Sequence, residues 1–541
     1  MNLKKTTLLT AFGLALFTAF AGNPKIETAR VDLKLKLQPA TGMISGTIEY
    51  SFPQDTIILL ASDFKIESVI ADGKIVFCEK TKPADLQFST AYLLPFRPGH
   101  LVISYSGTIK AENFPNSISN QNRLNAEMLE LTDLIDWYPK LKIGRAIPFS
   151  LKIDISSDFS LVTNGVQTSE TFSGEQKQYS FESVKPVYGI SLLGSKGMKK
   201  SVVAAPGYTI EIYYTKLPED YIGKMIKKLS KTVEFYQNLY NSEGSNNLIK
   251  IIYSPRSAGG YARGSVIVVS EKFAFEQLNN SWGFARDFQL NSHEIAHLWS
   301  KANWEDYWIN EGLAEFSAFL ACEKFIGTEF ATLLLDEYNV AIENSATQLS
   351  ILETTGDSWE SHINRYYKPT VLLNTLRQKY GEEKMTEFIA LLNVAFVQNQ
   401  GGTTVIFLNV LEEVLGKDAF DFFQMGLNRK NWNKSNGEAN AAYDADFEGT
   451  WSGGLTQFGN TTKFVLHLKK ADNKLVPVLD SPDQGAFGIP VSALKIEGDN
   501  IVCVVGVASA TFLGKLDRNA KIIRGNWNQR GTEYPLELRK E

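Results

Sequence analysis

The pattern His293-Glu294-Ile295-Ala296-His297 places the strongest constraint on what this chain can fold into. Residues four apart on a helix lie on one face, so His293 and His297 can present two imidazole nitrogens to one zinc ion. Glu294 stands beside them as the candidate general base. The opposite face carries apolar residues at helical spacing, namely Phe284, Phe288, Ile295 and Leu298. The segment therefore predicts a buried helix with one face for packing and one for metal.

A catalytic zinc site has three protein ligands and an open position for water. The run Trp308–Gly312 reads Trp-Ile-Asn-Glu-Gly and begins a second helical pattern, with Glu311 in its first turns. HExxH followed by this run resembles the aminopeptidase-N-like gluzincin zinc peptidases, whose signature is HExxH followed by WLNEG. The resemblance implies that His293, His297 and Glu311 bind one Zn²⁺ per chain. It also implies that Glu294 is the base.

The connection between the two motifs departs from the family. Thirteen residues (298–310) separate His297 from Glu311, fewer than the family usually has. A shortened connection between helices is tolerated, so Glu311 remains the expected ligand. Glu315, one turn on, is expected either to support a ligand or to lie at the surface. Asp306 is a candidate to orient a ligating histidine, with a solvated loop carboxylate as the alternative.

Length and charge narrow the class of protein. A chain of 541 residues predicts three or four domains, and the net charge of −5 gives no reason to expect nucleic-acid binding. Residues 1–21 have the pattern of a secretory signal peptide, with basic Met1–Lys5, apolar Leu8–Phe20 and the small-x-small site Ala19–Ala21. No later apolar run is long enough to span a bilayer. We therefore expect an exported, soluble, periplasmic or extracellular protein.

Short alternating segments over residues 22–216 predict an N-terminal all-β domain. It resembles the N-terminal β domain of the same family, because Trp137-Tyr138-Pro139 stands where the family has an aromatic-Pro pair. Glu130 lies eight residues before Tyr138, where the family usually has a Gln or Glu that reaches the substrate amine. The resemblance implies that role for Glu130, and a solvated loop carboxylate is the alternative.

Residues 217–432 show helical periodicity and, by the resemblance, form a thermolysin-like, mainly helical zinc peptidase domain. The glycine-rich run before the apolar segment Ser265–Ser270 predicts an edge strand that pairs with a substrate backbone. Family members carry GAMEN at this point, and its Glu holds the substrate amino group. This chain has Gly259, Gly260, Tyr261, Ala262 and Arg263 there. Ala262 replaces the amine-binding Glu, and Arg263 is a candidate to contact a substrate carbonyl or carboxylate.

A second family segment, YEKG, has its counterpart at Tyr366, ten residues before Leu376. The match implies that Tyr366 donates a hydrogen bond to the oxyanion of the tetrahedral intermediate, with Tyr367 as the alternative. His362 is expected to be a loop histidine. Residues 433–445 read as a linker, and 446–541 as a small β-barrel or sandwich similar to domains appended to bacterial secreted hydrolases.

These expectations combine into a multidomain α+β, exported zinc metallopeptidase whose recognition of the substrate N-terminus is altered. One alternative is a true aminopeptidase that uses Glu130 to hold the substrate amine. Another is a non-catalytic, zinc-retaining protein that binds peptide or glycan. The C-terminal domain is a candidate for contact with a glycan or a protein, although Trp451 and Trp527 are expected to be core residues.

Overall fold

Three successive regions, each with its own hydrophobic core, make up the described part of the chain. They are a strand-rich region, a sheet with many helices and a second strand-rich region, which confirms the expected multidomain α+β architecture. The expected signal peptide lies outside the described residues. The computed structural model describes residues 29–541 except 54, 82–88, 110–121, 134, 143–145, 206, 243, 245–246, 257–258, 280–281, 300–301, 303–305, 344, 346–348, 357, 431, 433–440, 458–459, 472, 492, 506–507, 509 and 530–531.

The N-terminal domain is built from three sheets. Strands with alternating buried and exposed residues, such as Arg30–Gln38, place one face on the core. The strands are β1 (Arg30–Gln38), β2 (Met43–Ser51), β3 (Ile57–Ala61), β4 (Phe64–Ala71), β5 (Lys74–Ile75), β6 (Glu79–Thr81), β7 (Ser89–Leu93), β8 (His100–Thr108), β9 (Arg123–Leu124), β10 (Met128–Leu131), β11 (Lys140–Leu141), β12 (Phe149–Ser156), β13 (Phe159–Thr163), β14 (Val166–Ser173), β15 (Gln176–Glu182) and β16 (Leu192–Lys196). The sheet orders are β14-β15-β12-β1-β2-β8-β4-β5, β13-β16-β10-β9 and β11-β3-β7-β6.

The predicted domain boundary at residue 216 is wrong. The next strands are β17 (Lys199–Ala205), β18 (Tyr208–Tyr214), β19 (Leu248–Ser254), β20 (Gly260–Arg263) and β21 (Val266–Ser270). They form one sheet in the order β17-β18-β19-β21-β20, so β17 and β18 belong to the middle domain. Alternation of apolar residues identifies a strand, but it does not say with which sheet the strand pairs.

Helices dominate the rest of the middle domain. They are α1 (Glu219–Leu239), α2 (Glu271–Glu276), α3 (Gly283–Ala296), α4 (Tyr307–Phe325), α5 (Thr328–Glu343), α6 (Trp359–His362), α7 (Lys368–Tyr380), α8 (Glu382–Gln398), α9 (Thr404–Leu415) and α10 (Lys417–Asn428). A π-helical turn, Ile363–Tyr367, joins α6 to α7. Sequence reasoning did not resolve α10 as a separate helix, because Gly416 alone separates it from α9.

Helices α3 and α4 pack against each other in the core, and α3 also lies against β20 and β21. The predicted packing face of α3 is buried at Phe288, Ile295 and Leu298. Helix α4 is buried without a break from Glu311 to Cys322. A helix that is buried on all sides carries even its polar residues into the core, where they require partners.

The C-terminal domain is a single sheet that nearly closes into a barrel. Its strands are β22 (Ala441–Ala442), β23 (Gly449–Gln457), β24 (Asn460–Ala471), β25 (Lys474–Ser481), β26 (Ala486–Pro490), β27 (Ala493–Glu497), β28 (Asn500–Val505), β29 (Ala510–Asp517), β30 (Ile522–Gln529) and β31 (Thr532–Lys540). Strand β22 lies beside β27, although the two end the sheet order β22-β25-β24-β23-β31-β30-β29-β28-β27. The predicted linker 433–445 therefore overlaps this domain, since β22 pairs with β25.

Two further features of the described residues bear on function. Trp451 and Trp527 are buried in the barrel core, so neither presents a ring face to a glycan. No helix among the described residues is long and apolar enough to cross a membrane.

A buried carboxylate anchors the first half of α3. Asp287 Oδ2 accepts hydrogen bonds of 2.7 Å from the hydroxyls of Tyr221 and Tyr253, and Oδ1 accepts one of 3.1 Å from the Asn291 amide. Burial raises the pKa of Asp287 to about 6, against the lowering effect of these three hydrogen bonds. The folded chain therefore holds this proton more tightly than the unfolded chain, and the free energy of unfolding falls as the pH rises from about 4 to about 6.

We expect Asp287→Asn to remove this pH dependence. Relative to the wild type, the variant should gain stability between pH 4 and pH 7, by about 3 kcal/mol at most, the equivalent of two pKa units. Thermal unfolding of both proteins across this pH range measures the difference. Asp421→Asn, at an exposed position on α10, is the matched control. Equal pH trends for the two variants would contradict the assignment.

Candidate metal centre and active site

The structure brings the three predicted ligands together. His293 lies in the last turn of α3, His297 caps that helix in a helical conformation, and Glu311 lies in the second turn of α4. Glu311 Oε2 is 3.2 Å from His293 Nε2 and 3.5 Å from His297 Nε2. One ligand atom from each residue falls within 4.8 Å of the others. Among the described residues, no other group of three or more His, Cys, Asp or Glu side chains is arranged to hold a metal ion.

The donor set fits a catalytic zinc ion. Two imidazole nitrogens and one carboxylate oxygen are a known ligand set for such a site, and they leave a position free for water.

The contacts between Glu311 and the two histidines account for the low pKa of Glu311. Burial alone would raise the pKa of Glu311, but the charge of His297 and the hydrogen bonds from both histidines hold it well below its usual range. Glu311 is therefore a carboxylate throughout the physiological range.

Glu315 supports His293 from the side opposite Glu311. His293 Nδ1 donates a 2.7 Å hydrogen bond to Glu315 Oε2, while Glu315 Oε1 accepts from Tyr338 and, at 2.7 Å, from Gln289. Burial opposes a charge on Glu315, but the hydrogen bond from His293 outweighs it and lowers the pKa. The contact fixes the tautomer that leaves His293 Nε2 free to bind metal.

Asp306, the other candidate for orienting a histidine, lies elsewhere. Its carboxylate accepts a hydrogen bond from Thr404 Oγ1, which also accepts one of 3.0 Å from Trp308 Nε1. Asp306 thus ties the start of α4 to α9. That expectation was wrong because sequence proximity to the histidines does not determine which way the loop faces.

The residues around Glu311 show why this short sequence holds the site. Asn310 Oδ1 accepts a 3.2 Å hydrogen bond from the Ala302 amide and closes the connection between the two helices. Gly312 lets α7 approach closely, since a Cβ atom there would lie 2.6 Å from Pro369 Cβ. The segment therefore closes a loop, supplies a ligand and admits a neighbouring helix.

The base candidate Glu294 is buried next to the ligands. Burial raises its pKa, an effect that the positive charges of His293 and His297 reduce. Strand β20 passes directly over its carboxylate, because a Cβ atom on Gly260 would lie 2.9 Å from Glu294 Oε1. A glycine at this position leaves room for the carboxylate, and for a substrate, between the strand and the helix.

The π-helical turn Ile363–Tyr367 directs two neighbouring tyrosines to different places. The Tyr366 ring stacks on His293, with ring centroids 5.4 Å apart, whereas Tyr367 stacks on Tyr338 in the core at 4.3 Å. Burial, then the charge of Glu311, raises the pKa of Tyr366 well above its usual value. Tyr366 therefore keeps its proton and can act as a hydrogen-bond donor. Turns of this kind are frequent at functional sites.

His362 is not a loop residue. It ends α6 and stacks on Tyr366 with a centroid distance of 4.1 Å, while Trp359 stacks on its other side at 5.3 Å. Burial lowers the pKa of His362 to about 4, so the ring is neutral near pH 7. The column of rings holds Tyr366 against the metal ligands.

Tyr307 is a residue of the site that sequence reasoning missed. Burial and the nearby charge of Glu311 raise its pKa, and a hydrogen bond to Glu311 contributes in the same direction. The guanidinium of Arg365 lies 5.0 Å from the centroid of the Tyr307 ring. The only signal in the sequence was its position directly before Trp308, which is not enough to assign a role.

The predicted substrate-binding segment is itself the edge strand. We expected the edge at Ser265–Ser270, but β21 lies between β19 and β20, and Gly260–Arg263 forms the outer strand. Gly259 precedes this strand. Because side chains alternate along a strand, Ala262 points to the same side as Gly260, toward Glu294. Ala262 packs against the core of the middle domain.

Glu130 lies on the other side of this strand, against Tyr261. Glu130 is buried and accepts hydrogen bonds from Ser254 Oγ at 2.7 Å and from Tyr261 Oη at 2.9 Å. Arg263 forms an ion pair of 3.2 Å with Asp133 of the N-terminal domain. The roles expected for Glu130 and Arg263 toward a substrate stay predictions.

We expect Glu315→Gln to weaken zinc binding about tenfold or more, as is typical when the partner of a ligating histidine is changed. Competition with a chromophoric chelator measures the affinity without reference to any activity. Glu329→Gln, at an exposed position on α5, is the control and should leave the affinity unchanged. An unchanged affinity in Glu315→Gln would show that Glu315 does not orient the ligand.

Comparison with known proteins finds a family match over the part of the chain that carries the site. Residues 225–425 match the family model of the Peptidase family M1 domain. The chain is 20% identical over 431 residues to Aminopeptidase M1-D of Oryza sativa subsp. japonica. That match covers 72% of this chain and 48% of the relative, so the chain spans about half the length of that protein.

Solved structures with a similar fold include a two-domain M1 zinc metallopeptidase variant bound to L-arginine. It matches with a TM-score of 0.58 and 16% identity, over 75% of this chain and 94% of that one. An M1 zinc metallopeptidase from Deinococcus radiodurans matches with a TM-score of 0.58 and 15% identity, also over 75% and 94%. Residues 225–425, which match the Peptidase family M1 domain, include the grouped His293, His297 and Glu311, and the solved structures share the fold of this chain.

Proposed function

We propose that this protein is a zinc metallopeptidase that hydrolyses peptide bonds. The observation that carries the proposal is the buried carboxylate of Glu294 next to a donor set of His293, His297 and Glu311. When bound there, zinc supplies Lewis acidity, which polarises a carbonyl and acidifies water. The family match of residues 225–425 supports the same reaction class.

Residues of the chain carry out proton transfer, oxyanion stabilisation and substrate binding. Glu294 takes a proton from the attacking water and later gives it to the leaving amine, and its raised pKa suits both steps. Tyr366, held in its protonated form, donates a hydrogen bond to the oxyanion of the tetrahedral intermediate. The edge of β20 pairs with the substrate backbone as an added strand.

We expect Glu294→Gln to keep the bound zinc and to lose activity by about 10² to 10⁴-fold, the usual contribution of a general base. Metal analysis and the cleavage rate of a fluorogenic peptide measure the two effects separately. Glu276→Gln, at the end of α2, serves as the control. If Glu294→Gln retained full activity, Glu294 would not be the base. If the wild type bound zinc but cleaved no peptide, a non-catalytic zinc-binding protein would be the better description.

We also propose that recognition of the substrate N-terminus is altered. Ala262 and Gly260 present only a methyl group and a hydrogen atom to the space above Glu294. The carboxylate of Glu130, on the opposite side of the strand, already contacts Tyr261 and Ser254. The site therefore has no free carboxylate on β20 to pair with a substrate ammonium group, and blocked or internal peptide segments fit it as well as free N-termini.

Acetylation of the substrate N-terminus tests this proposal. The wild type should cleave the acetylated and the free peptide at similar rates. Ala262→Glu should favour the free peptide by about tenfold, the order of one charge-assisted hydrogen bond. Ala262→Gln has a side chain of the same size without the charge and should show no preference. Loss of wild-type cleavage on acetylation would instead favour an aminopeptidase that uses Glu130.

Export of the protein is part of the same proposal. It rests on the basic, apolar and small-residue pattern of residues 1–21, which lie outside the described part of the structure. Contact of the C-terminal domain with a glycan or protein stays a prediction, and Trp451 and Trp527 are buried in the core of that domain, as expected.

A further inference from the structure

The back of strand β20 is held by the N-terminal domain through buried polar contacts. Glu130, on β10, accepts hydrogen bonds from Tyr261 Oη in the middle of β20 and from Ser254 Oγ at the end of β19. Arg256 Nη1 lies 3.7 Å from Glu130 Oε1, and the Arg256 guanidinium carbon lies 4.9 Å from the centroid of the Tyr261 ring. One carboxylate thus ties together both ends of the connection between β19 and β20.

A second contact holds the same side of the strand. Asp133 pairs with Arg263 at 3.2 Å, and the Arg263 guanidinium lies 5.4 Å from the centroid of the Tyr261 ring. Arg263 Nη1 also donates a 2.9 Å hydrogen bond to the Ala262 carbonyl. Tyr261 alternates with Gly260 and Ala262, so the Tyr261 side of β20 faces the N-terminal domain and the Gly260 side faces Glu294.

Because Glu130 is buried, its carboxylate contacts only the groups packed around it. The side chain of Glu130 is 2% exposed and that of Arg256 is 1% exposed. Tyr261 belongs to a small apolar cluster between the two domains, with Val162 and Leu193 from the N-terminal side. A substrate amine would have to displace Tyr261 or Arg256 to reach Glu130, and breaking a buried ion pair in this way is costly.

We propose that Glu130 is a positioning residue, which fixes the substrate-pairing edge strand β20 through Tyr261 and Arg256 and does not contact the substrate. The proposal rests on the proposed peptidase function and deepens it. It makes the N-terminal domain a support for the strand that pairs with the peptide backbone, independent of the charge at the substrate N-terminus. An edge strand binds by main-chain hydrogen bonds, so its position sets affinity for every peptide alike.

Tyr261→Phe tests the support directly, because it removes one hydroxyl and keeps the ring. Hydrogen–deuterium exchange of the backbone amides of 260–263 should become at least tenfold faster, as expected when about one buried hydrogen bond to a charged group is lost. Tyr213→Phe is the matched control. Tyr213 donates a 2.7 Å hydrogen bond to Glu211 on β18, which β19 and β21 separate from β20 in the sheet. Unchanged exchange at 260–263 in Tyr261→Phe would overturn the proposal.

Peptide affinity, measured in the Glu294→Gln background, separates positioning from amine binding. Tyr261→Phe and Glu130→Gln should each raise the Kd of a free and of an acetylated peptide by the same factor, about tenfold. Bound zinc and the far-UV circular dichroism spectrum should stay at their Glu294→Gln values, so that a general loss of fold is excluded. If Glu130→Gln weakened the free peptide alone, Glu130 would bind the substrate amine and the proposal would be wrong.

These readouts also distinguish this proposal from the proposed function. Faster exchange of β20 in a protein that binds and cleaves no peptide would leave the support by Glu130 intact and refute the peptidase. Normal peptide cleavage together with unchanged exchange and affinity in Tyr261→Phe would refute the support and leave the peptidase intact.

Discussion

The pairing of buried carboxylates on α4 with imidazoles on α3 is the interaction on which the rest of the structure depends. Both helices lie in the core, where a single unpaired charge would cost several kcal/mol. Glu311 and Glu315 meet opposite nitrogens of His293, so the two helices satisfy each other's polar groups. The same contacts preorganise a metal site, since they set the tautomer and the spacing of the donors. The same atoms are therefore needed both for the stability of the fold and for the geometry of the metal site.

Helix α7 and strand β20 pack closely around this pair of helices. Gly312 admits the Pro369 ring of α7, and the π-helical turn before α7 places Tyr366 on the face of His293. Gly260 admits the Glu294 carboxylate beneath β20. In both places a side chain is absent so that two elements can approach. The consequence is a site in which base, hydrogen-bond donor and substrate-pairing strand are held by packing from separate helices and a sheet.

Much of this fold and of the candidate site could be predicted from the sequence. The spacing of His293 and His297 fixes a shared helical face, and the position of Glu311 at the start of a second helical pattern supplies the third donor. The three-region architecture followed from changes in periodicity. The errors share one cause: the boundary at 216, the edge at Ser265–Ser270 and the linker 433–445 all depend on which strand pairs with which. Pairing is a long-range property that local alternation does not encode.

The sequence by itself determined the candidate metal ligands, the candidate base and the order of the domains, because each depends on residues close together in the chain or on periodicity. Only the tertiary structure decided that Glu315 and not Asp306 supports His293, and that Tyr366 and not Tyr367 faces the ligands. It also decided that Glu130 is buried behind Tyr261. These outcomes depend on how α4, the π-helical turn and the N-terminal domain orient their side chains, and packing between distant segments sets those orientations.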